Sequence, residues 1–413
     1  MRQIPFKHSI PYVARLLMAM VLIPLATYTG YAEKTPAVKV KLQSVGQLEF
    51  GPNGVLFVGD SYGAQVVALE THDTQAPEKA VSGVYIKSAD RAIADLLNAD
   101  INQVVINDMI VNPISKNIYF SVHVGRSINP RVAIVRYLPG DSAFEQLALD
   151  RLASSQVSIP QAPAFEDQLQ YGQSQRVFTI TDLTYYNGEL FIAGVSNQEF
   201  ASTLRRVAYP FSAQMQIASI EIYHGAHGQW ETRAPIVTQI VYEIEGKPYL
   251  IAAYTCTPLV KIPLDELKDG AHVMGTTVAE LGFGNTPVDM FLYDNPEMLG
   301  GGQYLLVTND SRSAVRVNPS LLSSAEGLTE RVPGPTGLDQ FTLPLTGARH
   351  TAPFTETLTL ILRPGIETKE LSLMSVLTGA FFEVSPHVAE FNWPDVPDSS
   401  FPFTNPIQYG FEK

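Results

Sequence analysis

The chain has 413 residues, with 28 Lys and Arg against 41 Asp and Glu, for a formal net charge of −13. A surface that acidic repels nucleic-acid phosphates and anionic lipid, which argues against either as a partner. A single cysteine, Cys256, excludes an internal disulfide, a covalent haem motif and a cysteine-ligated iron–sulfur or zinc centre. Stability must therefore come from a large apolar core.

Residues 1–32 read as a secretory signal. Arg2, Lys7 and Arg15 form a basic n-region without a carboxylate, and the apolar run Leu16–Thr27 follows. Gly30 and Ala32 then supply small residues at a cleavage site before Glu33. The run is well short of the roughly 20 residues that span a bilayer. The expectation is export to the periplasm with cleavage after Ala32, and no stable membrane insertion afterwards. Removing this segment deletes basic residues only, so the mature chain is more acidic still.

Beyond it, one unit recurs. Val45–Glu70 holds a short strand, a Pro-Asn-Gly turn, an apolar strand, a Gly-containing turn and an alternating strand. Ile106–Tyr137, Ile180–Val207, Ile236–Ile262 and Pro287–Val317 repeat that order of events. Each unit pairs period-two strands across a turn rich in Gly, Asn or Pro, which is the hairpin signature. Helical periodicity is confined to a short piece around Ala89–Ala99. Strands of this kind at long, repeated spacing predict an all-β fold, a β-propeller over residues 33–385.

Dividing the 381 residues after the leader by blade size, roughly 40–50 residues with the excess going into loops, gives six or seven blades, and seven is expected. Leu358–Met374 reads as a further hairpin, and the Gln/Ser/Pro-rich stretch Ser154–Ser174 as a loop insertion. The alternating segment Ala37–Leu42 is expected to pair with the strands near Leu358–Met374 and close the ring. From 386 to 413 the chain is Pro-rich, which predicts an extended tail and not a central strand.

The segment FGPNGVLFVGDSYGAQVVALE, residues 50–70, resembles blades of the NHL, YVTN and SMP-30/gluconolactonase-like propellers. There an inner strand, a Pro-x-Gly turn and a strand ending in Asp-Ser-x-Gly recur. The resemblance implies a propeller fold. It does not carry over the metal-dependent lactonase activity found in that group, because the ligand pattern has no residue-by-residue match here.

Several residues could carry chemistry. Aligning the units on Gln47, Asp108, Asp182, Gln239 and Asp289 places three carboxylates at one position of successive inner strands. Either Asp108, Asp182 and Asp289 converge on the channel, where Ca2+ or another divalent cation would suit them, or each caps backbone N–H groups in its own blade. A second aligned position holds Asp60, His123, Asn197, Cys256 and Asn309. In HGAHG, His224 and His227 could reach one Cu2+ or Zn2+ with a third ligand from His123 or His350; the alternative is a solvated loop. Gly59–Gly63 matches G-x-S-x-G around Ser61, but the flanking strands fit a blade turn better than a nucleophile elbow. Cys256 lacks a basic neighbour and reads as a small buried residue. Two functions stay open: a periplasmic module that binds a protein or small molecule, and a metal-dependent lactonase- or hydrolase-like enzyme working at the channel. No cofactor is certain from the sequence.

Overall fold

A computed structural model describes residues 41–381, apart from 170–171, 212–213, 256–257, 283–284 and 366–369. The expected leader, the Pro-rich tail and Cys256 lie outside the described residues.

The period-two runs form antiparallel meanders, and the turns between them follow local sequence. Asn187 and Gly188 both take positive φ (48° and 85°), as do Glu245 and Gly246 (51° and 76°). Two such residues in a row make the turn whose twist matches a two-strand hairpin. They connect Asp182–Tyr186 to Glu189–Val195, and Ile236–Ile244 to Lys247–Tyr254. The apolar second strand of each unit is buried on both faces, as in Val55–Asp60 and Glu189–Val195.

The described strands make four four-stranded sheets and one ten-stranded sheet. The larger sheet is two four-stranded meanders joined by a parallel pairing of Gln216–His224 with His272–Glu280. Six meanders result, in a propeller-like ring. Six apolar clusters lie between neighbouring units. Phe57 packs with Leu190 between the first and third units, Leu250 with Leu204 between the fourth and third, and Leu305 with Ile251 between the fifth and fourth. Ile361 joins Leu306 between the sixth and fifth, Leu360 joins Phe120 between the sixth and second, and Tyr119 joins Leu56 between the second and first. That circuit closes at six among the described residues, where division by length gave seven. The excess length is in connections.

Order around the ring differs from order along the chain, because the first unit lies between the second and the third. The chain leaves the first unit after three strands and builds the second. It then returns with Ser154–Ser158, which pairs with Gln65–Glu70 as the fourth strand. The stretch expected as a loop insertion thus begins with an outer strand. On the way to the second unit, Tyr85–Ile86 pairs with Leu371–Leu377 and completes the sixth sheet. Ser375 fixes the same seam, its hydroxyl accepting from Val84 N–H at 2.8 Å and its amide donating to Val84 O at 2.8 Å. Closure therefore involves Tyr85–Ile86. Of the segment expected to close the ring, residues 37–40 lie outside the described residues, and Lys41 and Leu42 are not in a strand.

The helix forms at Ala89–Leu96, where the only helical periodicity was read, and buries Ala89, Ile93 and Ala94 against the second and sixth units. Among the described residues no helix is long and apolar enough to cross a membrane.

Candidate functional site

The six innermost strands surround one cavity of about 320 Å³, with Glu49, Asp108, Asp182, Gln239, Asp289 and Thr351 on its wall. Among the described residues no Lys or Arg lines it. The four acids are brought together by the ring, as the channel reading of Asp108, Asp182 and Asp289 anticipated. Their carboxylates also do what capping does, but mostly across seams. Asp108 Oδ2 accepts from Leu48 N–H of the adjacent unit at 2.7 Å, and Glu49 Oε1 from Tyr185 N–H at 3.1 Å. Asp182 Oδ2 accepts from Gln239 N–H at 2.6 Å, and Asp289 Oδ2 from Thr351 N–H at 2.6 Å. Asp108 and Asp182 additionally accept from the next residue in their own strands, Met109 and Leu183, at 2.8 Å each. A hydrogen bond of this kind contributes about 0.5–1.5 kcal/mol while the acid is protonated and about 1.5–3 kcal/mol once it is ionised. The acids thus tie inner strands that have no ladder between them.

This arrangement has an electrostatic cost. Burial pushes the Glu49 carboxyl up to about 8, against the pull of the Tyr185 N–H and with a smaller push from Asp108. Burial likewise lifts Asp108 to about 6, although Leu48 and Met109 N–H groups oppose it. Asp182 and Asp289 are raised well above the usual carboxylate range, by burial first and with repulsion from Asp108 adding to it.

His350 stands at the same place. Burial lowers its pKa to about 4, against a hydrogen bond with the Ile106 backbone, so the ring is neutral at physiological pH. Its Nδ1 is buried without a hydrogen-bond partner among the described residues and lies 3.6 Å from Asp108 Oδ1. Ligating atoms of Asp108, Asp289 and His350 all fall within 4.8 Å of one another. With its proton on the nitrogen that meets Ile106, His350 turns a lone pair toward a carboxylate oxygen. Two acceptors in that position repel unless a proton or a cation lies between them.

The remaining candidates separate. His123 is not beside His224; its Nε2 accepts from Val45 N–H at 2.9 Å, and burial lowers its pKa to about 4 despite the charge of Asp60. Nor is His350 the third partner of His224 and His227. That partner is Glu231, whose carboxylate meets both rings. Ser61 is buried, its hydroxyl donating to Ile180 O and accepting from Ile180 N–H at 3.2 Å each. It is a strut between the first and third units, and its turn leads into another strand, so the elbow needed for a nucleophile is absent.

Sequence reasoning missed Glu49 at the axis and placed His350 elsewhere. Glu49 falls two residues past Gln47, the position used to align the first unit. The His350 strand has no Pro-x-Gly turn to mark it as a repeat.

No family model matches the chain, and no curated protein sequence does. Among solved structures, the extracellular domains 1–2 of Drosophila semaphorin 1b share 11% identity over 82% of this chain and 88% of theirs, with a TM-score of 0.33. Native Bacillus subtilis arabinanase Arb43A shares 13% identity over 66% of this chain and 94% of its own, with a TM-score of 0.32. Likenesses so distant carry no argument about activity. The strand pairings themselves define the class: an all-β, propeller-like protein with an acidic axial cavity.

Proposed function

We propose that this protein is an exported, periplasmic binding module of the NHL/YVTN/SMP-30-like kind, which takes a divalent cation at its axis and through it a small ligand or a segment of a partner protein. The observation that supports this reading is the contact of His350 Nδ1 with Asp108 Oδ1, two acceptors facing each other beside Asp289. A cation such as Ca2+, held by the carboxylate oxygens it prefers, neutralises Asp108 and so relieves that contact and the mutual repulsion of the acids, with the His350 nitrogen outside its ligand set. In the second reading the same cation polarises a carbonyl for hydrolysis, as in a lactonase. Asp108 at about 6 and Glu49 at about 8 favour it, since both lie where a general base or acid works near neutral pH.

Calorimetric titration of chelator-treated protein with Ca2+ tests the shared premise. One equivalent should bind, and Asp289→Asn, which keeps an acceptor for Thr351 N–H, should weaken binding by more than about tenfold. Wild-type protein that takes up no divalent cation would sink both readings. Cation-dependent turnover of simple lactones separates the enzyme from the binder. Export has its own check: expressed with its leader, the chain should begin at Glu33 in the periplasmic fraction, and an intact N-terminus on cytosolic protein would refute it.

A further inference from the structure

The hairpin at the outer edge of the third unit brings together three side chains far from the axis in sequence. His224 ends the strand Gln216–His224, and the short strand Gln229–Glu231 folds back on it with Ile222 opposite Glu231 and His224 opposite Gln229. Residues two apart share a face of a strand, so Glu231, across from Ile222, emerges on the face of His224. Tyr223 and Trp230 take the other face and pack edge to face. His227 sits in the intervening turn. The turn itself is fixed. Gly228 N–H donates to His224 O at 2.8 Å, Val332 N–H to Gly225 O at 2.9 Å, and Ala226 N–H to the buried Glu280 carboxylate at 3.2 Å.

On this frame His224 Nδ1 lies 2.9 Å from Glu231 Oε2, and His227 Nδ1 lies 2.6 Å from Glu231 Oε1. The ring centroids are 3.8 Å apart. One ligating atom from each of the three residues falls within 4.8 Å of the others. The second nitrogen of His224 is the unexplained feature. The residue is 1% exposed, and its Nε2 is buried with no hydrogen-bond partner among the described residues. A buried imidazole nitrogen without a partner costs about 1–3 kcal/mol in an ordinary core, and the ring that carries it stands beside a second imidazole and a carboxylate. His227, by contrast, is 41% exposed, which leaves the cluster open to solvent on one side.

We propose that His224, His227 and Glu231 form a binding site for a first-row transition-metal cation of the zinc class, with one coordination position left open to solvent. Two imidazoles and one carboxylate are the donor set of open zinc sites, whereas Ca2+ prefers oxygen alone. Ligand atoms about 2.0–2.2 Å from a tetrahedral ion sit roughly 3.3 Å from one another, so small rotations about side-chain bonds bring these three into place. This site is independent of the axial cavity and uses none of its residues.

The test titrates the full-length, chelator-treated protein with Zn2+, alongside His227→Ala, Glu231→Gln and the axial variant Asp289→Asn. His227 is exposed, so its replacement leaves the core intact, and circular dichroism of each variant verifies the fold. Zn2+ should bind wild type and Asp289→Asn alike and should bind both hairpin variants more weakly by over about tenfold, since even residues outside the ligand set matter by 10–100-fold. Excess Ca2+ should not displace it. Cobalt added in place of zinc should give a visible ligand-field band that His227→Ala abolishes. Wild-type protein that takes up no Zn2+, or folded hairpin variants that hold it as tightly as wild type, would overturn the proposal. Failure at the axis would instead appear in the Ca2+ titration of Asp289→Asn and leave these results unchanged.

Discussion

Chelator-treated protein should lose stability as the pH rises from 6.5 to 8, and Ca2+ should restore more of it at pH 8 than at pH 6.5. The direction follows from the raised carboxyls. Native Glu49 holds its proton to about pH 8, while an unfolded glutamate releases it near 4.5. Between these values folding takes up a proton, so the stability present at low pH is lost as pH climbs through the native value. Asp108, raised to about 6, behaves the same way over a lower range, and Asp182 and Asp289 are shifted in the same direction. His123 and His350 work oppositely. Both are lowered to about 4, so their contribution is present above 6.5 and lost as pH falls toward 4. Below 6.5 the two sets offset each other; above it the histidine contribution is nearly complete and the carboxyls set the slope. Glu49 alone should cost about 1–2 kcal/mol between pH 6.5 and 8, or a few degrees of melting temperature. A cation that binds the ionised acids reverses the trend by mass action. Thermal melts of wild type and Glu49→Gln at the two pH values, with and without Ca2+, measure this. A wild-type profile that is flat without Ca2+ would refute the electrostatic account. In Glu49→Gln the slope should shrink.

How much of this could be read beforehand depends on whether the cause was local. The hairpins were legible because a two-residue turn such as Asn187-Gly188 determines its own backbone conformation. The short helix at Ala89 was legible for the same reason. Counting units would have found six, the five quoted repeats and the hairpin at Leu358–Met374; dividing by length gave seven, while the described residues of connections such as the stretch from Ile159 to Thr181 add length and no named strand. What stayed hidden was non-local. Nothing within Tyr85–Ile86 announces that it completes a sheet almost 300 residues away, and nothing in Ser154–Ser158 says that it returns to the first unit. The site divides along the same line. Period and position brought Asp108, Asp182 and Asp289 to one channel on paper, as they are in the structure. The N–H groups that donate to them across the seams belong to neighbouring units, whose adjacency is set by the ring and not by the chain. Glu231 completes the His224–His227 cluster through a hairpin register that a one-residue slip would have turned to the opposite face.

Asp60→Ala should destabilise the protein by at least about 3 kcal/mol, more than loss of any single axial acid. Asp60 is fully buried, and its two oxygens collect five donors. Oδ1 accepts from Ser44 N–H and Ser44 Oγ at 2.8 Å each and from Gly63 N–H at 2.7 Å. Oδ2 accepts from Gln43 N–H and Gln65 Nε2 at 2.9 Å each. Removing the carboxylate leaves buried donors without partners, at about 1–3 kcal/mol for each that water cannot reach. Gln43 and Gln65 lie near the surface and can rehydrate; Ser44 is buried and cannot. The consequence reaches past one turn. Gln43–Val45 enters the first unit without pairing as a strand, held by Asp60 at two residues and by His123 at the third. Side chains of the first and second units therefore hold this segment without a ladder. Denaturant unfolding should show the midpoint falling with the slope unchanged. Hydrogen exchange should speed first at Ser44 and Val45, whose amides Asp60 and His123 hold. Asp60→Asn, which keeps one accepting oxygen but turns an amide donor toward other donors, should fall between the two. If Asp60→Ala unfolds within about 0.5 kcal/mol of wild type, a size typical of surface substitutions, the hub does not anchor the segment.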